Sequence, residues 1–146
     1  MISPEKFPLL SLGCHNGLPY ELRKRVTFSN FVTGLFILVT VPYVYLFYSV
    51  SKLHSWVVIW FLCLYSLTFL LNSAKRYYAA RVSLLVFANL GTFWYTLAFG
   101  ITSGIHLFYI VYPCMSVLLF EYKDRILIFA SALASLFAFC LLHALG

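Results

Sequence analysis

Of 146 residues, 63% are hydrophobic, 20% aromatic and only 10% charged, where a soluble globular domain carries roughly a quarter charged residues. That balance, with a mean hydropathy of +0.94, excludes an ordinary soluble fold. At about 20 apolar residues per crossing, residues 1–146 hold five spans and little else, in a single integral membrane domain. The net charge of +6 does not imply nucleic acid, because the basic residues stand in short clusters beside apolar runs and read as topology signals.

In chain order, residues 1–27 read as a cytoplasmic N-terminal segment. Within it, Gly17-Leu18-Pro19-Tyr20-Glu21 puts proline and an acid where a first helical turn begins, both favourable there. Arg23, Lys24 and Arg25 then precede the first apolar run. This run is too long and too far from Met1 for a cleaved signal peptide, and it reads as a retained anchor. The predicted spans cover about 28–47, 55–71, 82–99, 101–120 and 126–145, all within the spanning range. Between the third and fourth, Gly100-Ile101-Thr102-Ser103-Gly104 reads as a tight turn that makes the two helices antiparallel neighbours. The fold class is therefore all-α, a polytopic bundle of about five transmembrane helices.

Lysine and arginine set the predicted orientation. Lys6, Arg23, Lys24 and Arg25 precede span one, Lys75, Arg76 and Arg81 separate spans two and three, and Lys123 and Arg125 separate spans four and five. The opposite side receives only Lys52. The positive-inside rule then puts the N-terminus in the cytoplasm and, after five crossings, the C-terminus outside.

No aspartate, glutamate, lysine or arginine falls within any of the five runs. Such residues mark ion paths and proton relays, and their absence argues against ion-coupled transport and removes the usual acids and bases of catalysis. No catalytic residue, cofactor or metal ligand is therefore assigned, and the chain is read as no enzyme. The intramembrane polar signal is Asn89, with Asn30 and Asn72 nearer the cytoplasmic ends of spans one and two. An amide in hydrocarbon needs a partner, which makes each of them helix-to-helix glue or a ligand contact.

His54, His106 and His143 map to the outer interface under this topology. Three imidazoles at one depth suit a metal or a pH sensor, but no fixed ligand spacing accompanies them. Tyr43, Tyr45, Phe47 and Tyr48, opposite Trp56 and Trp60, fit an interfacial aromatic belt. Trp94, Tyr95, Tyr109 and Tyr112 come instead from spans three and four; with Asn89, Ser103, His106 and Cys114 they make a candidate apolar pocket with a few polar contacts. Ordinary core packing explains the same residues. Cys14, Cys63, Cys114 and Cys140 show no paired spacing and read as small apolar packing residues. Pro42 and Pro113 predict bends within spans. Ser131, Ala134, Ser135 and Ala138 form a small-residue strip that predicts a close helical neighbour in the chain or in a partner.

Several segments resemble the N-terminal multi-helix membrane sensor modules of bacterial nucleotide cyclases and histidine kinases. They are Leu12-Gly13, the stretch from Gly17 to Val26, Asn30, Pro42-Tyr43, His106-Leu107-Phe108-Tyr109 with Pro113, and Leu118-Leu119-Phe120-Glu121-Tyr122. The resemblance extends over about Leu12 to Arg125 and departs from the family in helix number. Such modules have six helices, which return the chain to a cytoplasmic output domain, whereas five are predicted here. The resemblance implies either an input module separated from its sixth helix and output domain or a small stand-alone membrane protein. The expected function is a non-enzymatic sensor or regulator in a bacterial inner membrane, binding an apolar small molecule or sensing the bilayer and signalling through helix packing. The expected partners are the lipid bilayer and a second copy or a membrane signalling protein, with no nucleic acid. The competing expectation is a small transporter or permease subunit for a neutral or apolar solute.

Overall fold

Five helices account for most of the chain: α1 (Tyr20–Val50), α2 (Lys52–Ser73), α3 (Tyr77–Phe99), α4 (Phe108–Leu119) and α5 (Arg125–Leu145). The structure is a computed structural model and describes residues 8–15 and 17–145. Lys6, used above for orientation, lies outside the described residues. No strand occurs among the described residues.

Four of the helices are long and apolar enough to cross a membrane. Their surfaces are inverted relative to a soluble protein, in which large apolar side chains are the buried ones. Ser29, Asn30, Thr33, Thr68, Asn72, Ser116 and Ser135 are wholly buried, while Leu38, Trp56, Trp60, Phe129 and Phe137 are largely exposed. Small polar residues inside and large apolar residues outside are what a lipid solvent selects, since lipid tails satisfy apolar groups and leave polar ones to find partners within the protein. This is the construction of a membrane protein.

The fourth predicted span differs. In place of one helix over 101–120, the chain makes two 3-10 turns, Ile101–Ser103 and Ile105–Leu107, before a 12-residue α4. Gly100 and Gly104 have φ of +79° and +73°, a region that side chains disfavour, and these two positions interrupt the helix on either side of the first turn. The predicted tight turn is therefore present, but it takes the start of the expected span with it. Elsewhere the helices outrun the predicted spans: α1 begins directly after Pro19, runs through Pro42 and ends at Val50, leaving Ser51 alone as the connection to α2. The α2–α3 turn is a Schellman motif. Arg76 N–H donates to Leu71 O at 2.9 Å and Lys75 N–H to Asn72 O at 3.1 Å, with Lys75 in the left-handed region at φ +60° where glycine is usual.

The contacts divide the chain into two compact units, one ending at Leu84 and one beginning at Leu85, so that α3 contributes to both. In the first, α1 and α2 pack closely along Ser29, Thr33, Thr40, Ser55, Thr68 and Asn72, small side chains that let backbones approach. In the second, α4 and α5 pack closely through Met115, Ser116, Leu119, Ser135 and Leu142. Of the predicted small-residue strip, Ser135 is buried and Ala134 faces outward. Cys63, Cys114 and Cys140 are exposed, so they do not fill the interior as expected; each sits on the outward side of its helix.

Candidate functional site

The second unit assembles part of the predicted constellation around Asn89. Its side-chain amide donates to Leu85 O one turn back at 2.9 Å, and its backbone carbonyl accepts from the Tyr109 hydroxyl at 2.9 Å. Ser135 Oγ stands 3.0 Å from Asn89 Oδ1 and 2.9 Å from Ser131 O, and its single proton serves one acceptor at a time. One turn along, the Tyr112 hydroxyl donates to Ala88 O at 3.2 Å. Its proton is then committed, so it accepts from the Thr92 hydroxyl beside it. Thus α3, α4 and α5 are tied by side chains on three helices, and every polar atom named finds a partner, as buried polar groups require.

Helical spacing explains the membership. Tyr109, Tyr112 and Ser116 fall at intervals of three and four on α4, which brings them to one face; the Tyr109 and Tyr112 rings meet edge-on at 5.7 Å. Ala88, Thr92, Tyr95 and Thr96 do the same on α3, all buried. In this unit α3 does not approach α4 closely along its backbone; the tyrosines bridge the gap. Trp94 and Tyr95 pack edge-on at 5.3 Å.

Two predicted members fall outside the cluster. Cys114 is exposed because it lies two residues beyond Tyr112, on the opposite side of α4. Ser103 is exposed and serves the turn, its hydroxyl donating to Gly100 O at 2.7 Å. The residues around Asn89 are joined by hydrogen bonds and packed rings. A shallow depression of 570 Å³ in this unit is lined by Tyr122, Arg125, Ile126, Phe129, Ala130 and Leu133, none of which belongs to the predicted constellation.

His106 is buried, with 7% of its surface exposed. Its ring lies 5.1 Å from that of His143 and 5.7 Å from that of Phe139, while Phe139 and His143 are 4.6 Å apart. Two of the three histidines expected at one depth therefore meet. In the first unit His54 stacks on Phe47 at 5.6 Å, and no three metal-ligating side chains converge among the described residues.

A second polar cluster, in the first unit, escaped the sequence reading as a constellation. Asn72 Nδ2 donates to Ser29 Oγ at 2.9 Å and to Asn30 Oδ1 at 2.7 Å; Asn30 Nδ2 donates to Leu10 O at 3.2 Å and Leu12 O at 2.9 Å. Asn72 thus holds Asn30, which in turn holds the non-helical segment before α1. The Tyr77 hydroxyl adds a bond to Gly13 O at 2.8 Å, and an Arg23 guanidinium nitrogen one to His15 O at 3.1 Å. Gly13, with φ +81°, passes so close to Asn72 that a Cβ would stand 2.3 Å from the Asn72 carbonyl oxygen. Only glycine fits there. The available signal was an asparagine on each of two neighbouring helices, with a glycine upstream.

No family model, curated protein or solved structure matches this chain.

Proposed function

We propose that the chain is a non-enzymatic membrane sensor or regulatory module of a bacterial signalling system, which responds to an apolar small molecule or to the bilayer by shifting helix packing. The observation that carries this reading is the way α3 is joined to α4 and α5, through the Asn89, Tyr109, Tyr112 and Ser135 hydrogen bonds rather than close backbone packing. A handful of interhelical hydrogen bonds, each about 0.6 kcal/mol on average in a membrane interior, is a modest barrier to a helix shift of 1–2 Å of the kind that switches use, a magnitude typical of such transitions. The family-like segments around Gly13, Asn30 and His106 support the same reading.

In this reading the chain sits in the bacterial inner membrane with its N-terminus cytoplasmic, crosses five times and ends outside. The basic clusters support it. The crossing by Ile105–Leu119 is the demanding one: three residues of 3-10 helix and twelve of α-helix reach about 24 Å at their usual rises, against a hydrocarbon core of about 30 Å. Local thinning of the bilayer, with Lys123 and Arg125 extending toward the cytoplasmic headgroups, accommodates the difference.

Reconstitution tests the function. Liposomes containing only this chain are expected to show no flux of neutral solutes; flux that disappears in Asn89→Leu assigns the chain to transport instead. For the topology, a reporter following Gly146 is expected outside the cytoplasm. A cytoplasmic signal there removes the five-crossing arrangement and leaves the four long helices as the spans.

A further inference from the structure

We infer that His106 and His143 form a binding site for a divalent transition-metal ion of the zinc class, at the junction of the turn before α4 with the end of α5. The inference is independent of the sensor reading, because it rests on the geometry and chemistry of the two imidazoles alone. Neutral imidazole nitrogen is a borderline ligand suited to zinc and its neighbours in the first transition row.

The separation of the rings fits shared coordination. A zinc ion about 2.0–2.1 Å from one nitrogen of each ring stands about 3.2 Å from each ring centre, and at a tetrahedral angle the two centres are then about 5 Å apart. The observed separation is 5.1 Å, with the rings nearly perpendicular at 88°.

The second observation is the state of His106. Its side chain is more than nine-tenths buried, and its Nδ1 has no hydrogen-bond partner among the described residues. Such a nitrogen is unsatisfied in either tautomer, as an N–H without an acceptor or as a lone pair without a donor. A metal ion resolves this by taking the lone pair. The surroundings suit a shielded site: Phe139 lies against both rings, and Gly104, in its left-handed conformation, turns the chain just ahead of His106.

His143 is exposed at the protein surface, two residues before the end of α5 at Leu145. Two protein ligands leave two of four tetrahedral positions for water or for a ligand from outside, an open site rather than a closed structural one. Such a site takes and releases an ion by equilibrium, and the fold is expected to stand without it.

The test is a titration of the purified full chain in lipid nanodiscs with Zn(II) alone, against a competing chromophoric chelator, with Co(II) absorption as a second readout. The expected result is one ion per chain, intense Co(II) bands of tetrahedral type, and at least tenfold weaker binding in His106→Ala and in His143→Ala. His54→Ala is expected to bind as the parent does. His143 is exposed, so His143→Ala keeps the test valid if His106→Ala fails to fold. The inference is overturned by the absence of saturable binding, by equal binding in His143→Ala and His54→Ala, or by octahedral Co(II) bands that neither histidine variant changes.

Discussion

The two units solve the same problem, polar groups inside a lipid-facing helix assembly, in different ways. In the first unit the solution is a fitted knot: Asn72 bonds Asn30, Asn30 bonds the non-helical segment before α1, and a glycine stands where no side chain has room. In the second it is a set of separate hydroxyl bridges from tyrosine, threonine and serine, mostly to helix backbone carbonyls that already carry intrahelical bonds. The knot is coupled through Asn30, because moving that residue strips Asn72 of an acceptor and the Leu10 and Leu12 carbonyls of their donor. The bridges are incremental, since each can break and leave a carbonyl still bonded in its helix.

That contrast predicts a ranking of mutational effects. The largest is expected for Gly13→Ala, about 3 kcal/mol from the left-handed backbone cost and the displaced hydrogen bonds together. It is read as lost unfolding free energy in mixed micelles and as several-fold faster maleimide labelling of Cys14, which is half-buried beside Thr27; unchanged labelling would show that the segment is not docked. Next comes Asn30→Ala, at about 2 kcal/mol, because it removes the partner of Asn72 and the donors to Leu10 O and Leu12 O. A cost as small as that of a single bridge would erase the distinction between the units.

In the second unit the effects shrink. Tyr112→Phe is expected to cost about 1 kcal/mol, since the Thr92 hydroxyl loses a buried partner while the Ala88 carbonyl keeps its helix bond. Asn89→Leu is expected to be smallest, about 0.5–1 kcal/mol, because the Tyr109 bond goes to the backbone of residue 89 and survives the change. A double variant, Tyr112→Phe with Asn89→Leu, sharpens the point. Near-additive costs on thermal unfolding fit separate bridges, and strong coupling would mean a second knot.

Much of the architecture was legible from residue type and order. Composition required a membrane solvent, four of the five apolar runs are long helices, Pro19 stands at the start of the first, and the glycines at 100 and 104 turn the chain. Tyr109 and Tyr112 both reach the backbone of α3 because an interval of three puts them on one face of α4. The length of α4 was not legible: apolar character over 101–120 says nothing of where two left-handed glycines stop an α-helix. Nor was the exclusion of Cys114 and Ser103, which turns on rotation about a helix axis and on a local hydroxyl bond.

By itself the sequence determined the helical class of this protein and the apolar runs long enough to cross a membrane. These depend on the summed transfer free energy of 20-residue runs, which survives any detail of packing. The tertiary structure alone decided which polar residues meet. Asn30 with Asn72, Gly13 against the Asn72 carbonyl and His106 beside His143 join positions far apart in the chain, and such meetings depend on helix rotation, the shape of a turn and the room left at one atom.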